Sequence, residues 1–219
     1  RAVAMTLEAV YEQEFHDFSY GFRPGRSAHQ ALESLWKGLM EMRGGYVIEV
    51  DIKSFYDTID HGHLRTFLDQ RVRDGVLRRM IDKWLKAKVL DAGELKCPDE
   101  GTPQGGVISP LLANIFLHEV FDEWYVQEVK PRLHGNSFAI RYADDIVIFA
   151  PSEGEALRAL QILGDYLHEP LHLNLKPAKT NHVPVDTGVD FLGFRLTTET
   201  VQVQPAKLDR VLTSLRELL

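Results

Sequence analysis

The sequence predicts an α+β fold built on a mostly antiparallel sheet with helices packed on one face. Helix-type and strand-type patterns alternate along the 219 residues, and several strand-type runs are close enough to form hairpins. The chain is also 44% hydrophobic, which is enough for a sizeable core. Because both hairpins and helical crossovers are expected, a purely parallel sheet is excluded.

Helices are indicated by apolar residues at three- and four-residue spacing. The clearest case begins after Ser27, a good N-cap residue, where Ala31, Leu32, Leu35 and Leu39 form one stripe. Further helices follow the same pattern, the last of them opened by Pro205. In chain order the predicted helices are about 3–15, 27–43, 63–73, 77–89, 109–128, 153–168 and 205–219.

Strands are indicated by short runs rich in β-branched and aromatic residues. The segment DIVIFA contains a continuous apolar run at 146–149, which is typical of a strand covered on both faces. The predicted strands are 46–51, 137–142, 145–150 and shorter runs near 181–185, 190–196 and 201–204.

The net charge of −7 is unusual for a protein that binds nucleic acid, because phosphate contacts usually leave a basic surface. The segment 65–88 is an exception, with eight basic residues against three acidic ones. It is either a solvated helix face or a phosphate-contacting one. A single cysteine, Cys97, excludes a disulfide framework. No apolar run is long enough to span a bilayer. We therefore expect a cytoplasmic protein without membrane partners.

Two adjacent aspartates interrupt the apolar stretch RYADDIVIFA at 141–150. Asp144 and Asp145 are expected at the tip of a tight hairpin. Two carboxylates about 4 Å apart repel by about 4 kcal/mol at an effective dielectric constant of about 20. Either the turn faces solvent, as aspartate-containing turns often do, or a divalent cation removes the repulsion.

Another aspartate, Asp51, ends the strand YVIEVD and is expected at the same sheet edge as the acidic hairpin. Three carboxylates suit Mg²⁺, which prefers a few acidic oxygens together with waters and substrate phosphates. Two such ions could support phosphoryl transfer, activating the attacking hydroxyl and stabilising the leaving oxygen. Asp57 and Asp60 are expected to cap turns before the next helix. A glycine-rich loop at 100–106 precedes another helix and could approach an anionic ligand.

Six successive stretches resemble the reverse transcriptases of bacterial group II introns, and CRISPR-associated reverse transcriptases are similar in the same stretches. The resemblance spans most of the chain. The stretches are SYGFRPGRSAHQAL (19–32), VIEVDIKSFYDTIDH (47–61), GTPQGGVISPLLANIFLH (101–118), RYADDIVIF (141–149), LHLNLKPAKT (171–180) and VDFLGFRL (189–196).

This resemblance implies a fingers-palm fold with an antiparallel, ferredoxin-like palm sheet. It also implies that Asp51, Asp144 and Asp145 bind two Mg²⁺ ions, for which Mn²⁺ can substitute, with the Ile52 carbonyl as an extra ligand. Phe55 corresponds to the aromatic gate that excludes a ribose 2′-hydroxyl, and the neighbouring Tyr56 is its competitor.

Further roles are implied around the palm. Gln104 and Gly105 would contact the incoming nucleotide and the template. Arg23 and Arg26 would contact the template or the triphosphate, or instead form salt bridges with the acidic segment 12–17.

Leaving-group protonation is assigned by the resemblance to Lys179, with Lys176 as its rival. A plain exposed lysine is the third interpretation. Phe191, Leu192, Gly193 and Phe194 resemble the hairpin that supports the primer terminus, although alternating apolar residues also make an ordinary strand.

The resemblance implies an RNA-directed DNA polymerase that uses an RNA template, a DNA or RNA primer and dNTPs. Intron RNA or CRISPR adaptation proteins would be further partners. The expected domains are partial fingers at 1–46, a palm at 47–204 with an inserted helical segment at 63–100, and the start of a thumb or linker helix at 205–219. Fingers before residue 1 and the rest of the thumb are expected in a longer protein. An RNA-binding maturase-type module and a defence-associated polymerase are the alternatives.

Overall fold

The computed structural model describes most of the chain, and the fold is given for that part. No helix in it is long and apolar enough to cross a membrane. The described residues are 1–41, 44–86, 89–91, 94–96, 100–102, 106–169, 171–177, 179–205, 207–209 and 212–213.

A four-stranded antiparallel sheet forms the centre of the molecule. Its strands are β1 (Tyr46–Asp51), β4 (Ala139–Tyr142), β5 (Asp145–Ala150) and β6 (Asn181–Pro184), and their order across the sheet is β4-β5-β1-β6. β1 thus lies between β5 and β6, and it pairs with both in antiparallel register.

The connections between these strands produce the ferredoxin-like arrangement. The chain leaves β1, passes through several helices and returns as β4, which pairs with β5 through a tight hairpin. After β5 it passes through α7 (Glu153–His168) and returns as β6 on the other side of β1. Each crossover therefore skips one strand, as in the split βαβ motif. The α+β prediction with an antiparallel, ferredoxin-like sheet is confirmed.

The remaining helices surround this sheet. Their bounds are α1 (Ala2–Tyr11), α2 (Ala28–Glu41), the short α3 (Phe55–Thr58), α4 (His61–Arg71), α5 (Gly75–Leu85) and α6 (Ser109–Leu117). After α6 the helical path continues with wider π-type turns at His118–Asp122 and Tyr125–Val129 and a 3₁₀ turn at Lys130–Arg132.

Segment 63–100 contains most of α4, the whole of α5 and then two short strands. α5 ends at Leu85, and a hairpin of β2 (Val89–Asp91) and β3 (Glu94–Lys96) follows it. The start of α5 is fixed by Asp74, whose side chain accepts hydrogen bonds from the backbone N–H groups of Val76 and Leu77. The helix predicted at about 77–89 ends earlier than expected, because Val89–Asp91 is a strand that pairs with Glu94–Lys96.

Both faces of the central sheet are covered. One face carries Ile48, Val50, Ile146 and Ile148 into the large core, to which α1, α4, α6 and α7 contribute. The opposite face carries a smaller core, in which α2 packs together with a second sheet. Most helices therefore lie on one face, as predicted, and α2 covers the other. The prediction that β5 is covered on both faces is confirmed, since 146–150 are all buried.

The second sheet contains β7 (Val189–Phe191), β8 (Phe194–Leu196) and β9 (Val201–Val203). Segment 190–196 is thus two strands joined by the turn Leu192-Gly193, in which both residues have positive φ. This is the geometry that two-residue hairpins prefer. The helix predicted at 205–219 lies largely outside the described residues.

Candidate active site

Two aspartates face each other across the centre of the sheet. Asp51, the last residue of β1, lies directly opposite Asp145, the first residue of β5. Directly opposed side chains in an antiparallel pair have Cβ atoms about 4.5–5.5 Å apart and lie on the same face. On this face the smaller core ends at Val47 and Val147, and Glu49, Asp51 and Asp145 follow toward the strand ends. The sheet therefore changes from apolar to acidic along one face.

The hairpin tip between β4 and β5 consists of Ala143 and Asp144. Ala143 has a φ of 55°, in the left-handed region that favours glycine. Gly21 lies directly against this turn, and a Cβ atom at Gly21 would be 2.3 Å from the Ala143 nitrogen. No side chain fits there without moving the turn. The segment before α2 therefore holds the acidic hairpin from one side.

A buried ion pair supports the same hairpin through β4, the strand that leads into it. Arg141 in β4 is fully buried and donates to both carboxylate oxygens of Asp122, at 2.7 and 2.6 Å. It also donates to Asn114 Oδ1 at 2.9 Å and to the Ala143 carbonyl at 3.2 Å. Asn114 in turn donates to the Gly21 carbonyl at 2.6 Å. This network connects α6 and the first π-type turn after it to the segment before α2 and to the tip of the hairpin.

The Arg141 network was missed by sequence reasoning. The signal was present in part, because Arg141 lies in a strand of mostly apolar residues and Asp122 directly follows Val120 and Phe121. Burial alone would raise the pKa of the Asp122 carboxyl, but the guanidinium of Arg141 outweighs this and holds the pKa below its ordinary value. Both partners are therefore charged in the folded protein.

The acidic hairpin itself is electrostatically unfavourable. Burial, followed by the charge of Asp51, raises the pKa of Asp144. Burial, Asp144 and Asp51 together raise the pKa of Asp145 to about 6. Carboxylates with raised pKa values gain most from a nearby cation, because their charged form is poorly stabilised by the protein.

One protein cation already lies at this site. Lys179 Nζ is 2.9 Å from Asp51 Oδ2, and this contact raises the pKa of Lys179. The lysine is brought there by a turn in which the Lys176 N–H donates to the Asp51 carbonyl, and the Lys179 N–H donates to the Lys176 carbonyl, at 2.8 and 3.0 Å. The side chain of Lys179 is mostly exposed. Three carboxylates whose charges repel one another and one exposed ammonium group thus share this end of the sheet, and oxygen donors of this kind suit Mg²⁺.

A cleft of about 330 Å³ opens beside Asp51 and Asp145. Lys179, Asp190 and Phe191 line its other walls. Phe191 belongs to the β7-β8 hairpin, which is attached to the central sheet by the Asp190 N–H donating to Glu49 Oε1 at 3.1 Å. The predicted primer-support residues Phe191 to Phe194 therefore form a hairpin next to the acidic residues.

The turn of this hairpin is held close to a lysine. Gly193 has a φ of 80°, and a Cβ atom there would be 2.6 Å from the Lys207 side chain. Lys207 Nζ donates to the Leu192 carbonyl at 3.1 Å and lies 5.2 Å from the centre of the Phe194 ring. The backbone of this turn thus lies close to the segment after β9.

The two candidates for the aromatic gate differ in exposure. Phe55 is 2% exposed, and its ring lies 6.0 Å from that of Phe116 in the large core. Tyr56 is partly exposed, and burial together with the charge of Asp144 raises the pKa of its hydroxyl to about 12. Both residues follow Ser54, which has a φ of 50°. Ile52 is buried at the start of this turn.

The predicted finger arginines are paired with acidic residues. Arg23 is 7% exposed, and its guanidinium donates to the Glu12 carboxylate and to the carbonyls of His16 and Ser19. Arg26 lies 2.6 Å from Asp17. The salt bridges that the sequence left as the alternative are thus formed, and we do not include Arg23 in the substrate site. Gln104 and Gly105 lie outside the described residues.

The chain matches the family model for reverse transcriptase (RNA-dependent DNA polymerase) over residues 1–196. It belongs to the reverse transcriptase family. This reverse transcriptase domain is 36% identical to the protein YkfC of Escherichia coli K12 over 227 aligned residues, which cover 90% of the chain and 59% of YkfC. It is also 42% identical to the group II intron-encoded protein LtrA of Lactococcus lactis over 126 residues, or 58% of the chain and 20% of LtrA.

Solved structures support the fold of the reverse transcriptase domain. Telomerase from Candida albicans, in complex with a fragment of telomeric RNA, matches 93% of the chain with a TM-score of 0.67 and 14% identity. The chain covers 38% of that telomerase. Telomerase from Candida tropicalis gives a TM-score of 0.66 over the same share of the chain. At this identity the match shows the fold alone, and that fold is the one predicted.

Proposed function

We propose that this chain is the fingers-palm core of an RNA-directed DNA polymerase. The observation that carries the proposal is the β1-β5 register, which places Asp51 opposite Asp145 beside the cleft. In this proposal residues 1–46 are partial fingers, 47–204 the palm and 205–219 the start of the thumb or a linker helix. The chain spans 59% of the length of YkfC, so other parts of a longer protein would complete the duplex-binding surface.

Asp51, Asp144 and Asp145 are the proposed ligands of two Mg²⁺ ions, with the Ile52 carbonyl as an additional donor. Two ions held by these residues would supply activation of the primer 3′-hydroxyl and stabilisation of the oxygen that leaves with pyrophosphate. The hairpin at Phe191–Phe194 supports the primer end, and the cleft beside it orients the 3′-hydroxyl toward the aspartates. Lys179, released from Asp51, donates a proton to the leaving pyrophosphate.

The test is extension of a DNA primer on an RNA template with dNTPs and Mg²⁺. A polymerase of this kind extends the primer to the sequence dictated by the RNA. Extension without any template would instead indicate the defence-associated alternative. Tight RNA binding without extension, also in a longer protein that contains this chain, would favour the maturase-type module.

The maturase-type alternative depends on a basic RNA-binding surface. In segment 65–88, Arg65, Arg71 and Arg78 are each paired with a carboxylate, at 2.6, 3.0 and 2.9 Å. These pairs reduce the charge available to phosphate groups. A pure RNA-binding module would also have no use for three carboxylates beside an exposed lysine, so we favour the polymerase.

Ribose discrimination is the first prediction. If Phe55 is the gate that the resemblance implies, Phe55→Ala is expected to raise the ratio of rNTP to dNTP incorporation; its burial in the large core favours the partly exposed Tyr56 instead. The same change removes a buried phenyl ring and should cost about 3–5 kcal/mol of stability. The ratio should therefore be measured at low temperature on protein shown to be folded. A normal ratio in Phe55→Ala and a raised one in Tyr56→Ala would assign the gate to Tyr56; Tyr56→Phe is the matched control.

In the second prediction, the affinity of the acidic site for metal depends on pH. Because the pKa of Asp145 is raised to about 6, protons compete with the metal as the pH falls. Mn²⁺ affinity, measured by electron paramagnetic resonance, should be about tenfold weaker at pH 5 than at pH 7. Asp145→Asn should bind Mn²⁺ weakly at both values. The exposed variant Asp186→Asn serves as the control, and an unchanged Mn²⁺ affinity between the two pH values would contradict the assignment.

A further inference from the structure

A second group of metal-type side chains lies outside the acidic site. His16, His118 and Glu123 each offer a ligand atom, and these three atoms lie within 4.8 Å of one another. His16 belongs to the loop after α1, whereas His118 and Glu123 lie on and beside the first π-type turn after α6. The group therefore joins two segments that are distant in the sequence.

The spacing of the three atoms is close to that of a tetrahedral site. His16 Nε2 is 2.8 Å and His118 Nε2 is 3.7 Å from the same oxygen, Glu123 Oε1. Ligand atoms around Zn²⁺ are roughly 3.3 Å apart, as follows from bonds of about 2.0–2.1 Å. Small side-chain rotations would therefore place all three atoms around one ion.

The burial of His118 and the hydrogen bonding of its ring are the second observation. This imidazole is 3% exposed, and among the described residues its Nδ1 atom has no hydrogen-bond partner. Nδ1 lies 3.7 Å from Asp122 Oδ2, which is too long for a hydrogen bond. Coordination through Nε2 would fix the proton on Nδ1, facing this carboxylate. Histidine ligands of metals are commonly oriented by a carboxylate in this way.

We propose that His16, His118 and Glu123 bind a transition-metal ion of the Zn²⁺ class. Two imidazoles and a carboxylate suit Zn²⁺, whereas Mg²⁺ prefers oxygen ligands alone. His118 and Glu123 also line a cavity of about 500 Å³, which leaves room for a water molecule as the fourth ligand. The ion connects the loop that contains His16 to the helical segment that contains His118, Asp122 and Glu123. This site is independent of the proposed polymerase activity.

Co²⁺ is the probe for this site, because tetrahedral Co²⁺ absorbs visible light far more strongly than six-coordinate Co²⁺. The titration uses a Cys97→Ser background, so that the single thiol contributes no band, and excess Mg²⁺ to occupy the acidic hairpin. We expect one Co²⁺ per chain with intense visible bands that Zn²⁺ abolishes. His16→Ala and Glu123→Gln should each lose these bands. His134→Ala, which removes an exposed histidine paired with Glu155, should keep them.

Thermal unfolding provides a second readout that does not depend on colour. Zn²⁺ should raise the melting temperature of the parent protein and of His134→Ala, but not that of His16→Ala. Circular dichroism would show whether His16→Ala is folded without metal. The proposal is overturned if the parent protein shows no intense Co²⁺ bands, or if the bands persist in both His16→Ala and Glu123→Gln. His16 and Glu123 would then form only a hydrogen bond.

Discussion

Replacing Asp144 by asparagine is expected to abolish RNA-templated primer extension. The substitution keeps the size of the side chain but removes one of the charges proposed to hold the metal ions. Catalytic metals contribute several kcal/mol to transition-state stabilisation, and each 1.36 kcal/mol corresponds to a tenfold change in rate. We therefore expect a loss of about 10³-fold or more, measured as single-turnover extension of a DNA primer on an RNA template.

The melting temperature of Asp144→Asn distinguishes the loss of a metal ligand from misfolding. Burial raises the pKa of Asp144, so its ionised form is disfavoured in the folded protein. A carboxyl of this kind contributes stability at low pH that is lost as the pH rises through its folded-state pKa. At neutral pH asparagine avoids this cost, and Asp144→Asn should melt no lower than the parent protein. An inactive variant with a lowered melting temperature would leave the metal-ligand role unsupported.

Matched variants complete the design. Asp51→Ala should also abolish extension while RNA binding is largely retained. Asp186→Asn removes an exposed carboxylate outside the site and should behave as the parent protein does. Substantial extension by either Asp51→Ala or Asp144→Asn would show that the acidic hairpin is not the polymerase site. The longer protein should be used if the parent chain alone does not extend the primer.

The parts of the fold that sequence reasoning predicted well are those with strong local signals. α7 was predicted at 153–168 and observed at those bounds, because Ser152 caps it and its apolar stripe is regular. β1 and β5 were likewise predicted at 46–51 and 145–150. The helix predicted at 109–128 instead changes to π-type turns after Leu117. Nearly every residue of α6 is buried, so periodicity alone could not indicate where its regular hydrogen bonding ends.

For the candidate site, sequence reasoning indicated which residues would meet but not what restrains them. The ends of two strand-like runs were enough to bring Asp51 near the acidic hairpin. The contact between Lys179 and Asp51 depends on the turn after α7. A turn has no periodic residue pattern from which such a contact could be predicted. The pairing of Arg23 with Glu12 could be suggested only as an alternative, since a surface arginine and a buried one look the same in sequence.

The Arg141 network was the least predictable feature, because its members come from β4, α6 and the turn after α6. Arg141 and Asp122 are 19 residues apart in sequence, and no local rule connects them. Nevertheless, an arginine in an otherwise apolar strand needs a partner if it is buried, since an unpaired buried charge is very costly. The same physics makes this network the most sensitive structural feature of the site.

Arg141→Met is expected to lower the free energy of unfolding by about 3–5 kcal/mol, because Asp122 would remain buried and charged without its partner. Replacing both residues, as Arg141→Met with Asp122→Leu, should recover most of this stability, since a buried ion pair can often be exchanged for apolar side chains. Denaturant unfolding measures both effects. The exposed pair of Lys37 and Glu33 provides the control, and Lys37→Met should leave stability unchanged within error.

Recovered stability should not restore catalysis in the double variant. Arg141 also donates to the Ala143 carbonyl and to Asn114, and methionine can do neither. The turn that carries Asp144 would then lose its hydrogen bond from Arg141. A displacement of the Asp144 carboxylate by about 1 Å can cost roughly a hundredfold in rate. We therefore expect primer extension by the folded double variant to stay about tenfold to a hundredfold below that of the parent protein. Full activity would show that Gly21 and the strand pairing suffice to position the acidic hairpin, and that the ion pair serves stability alone.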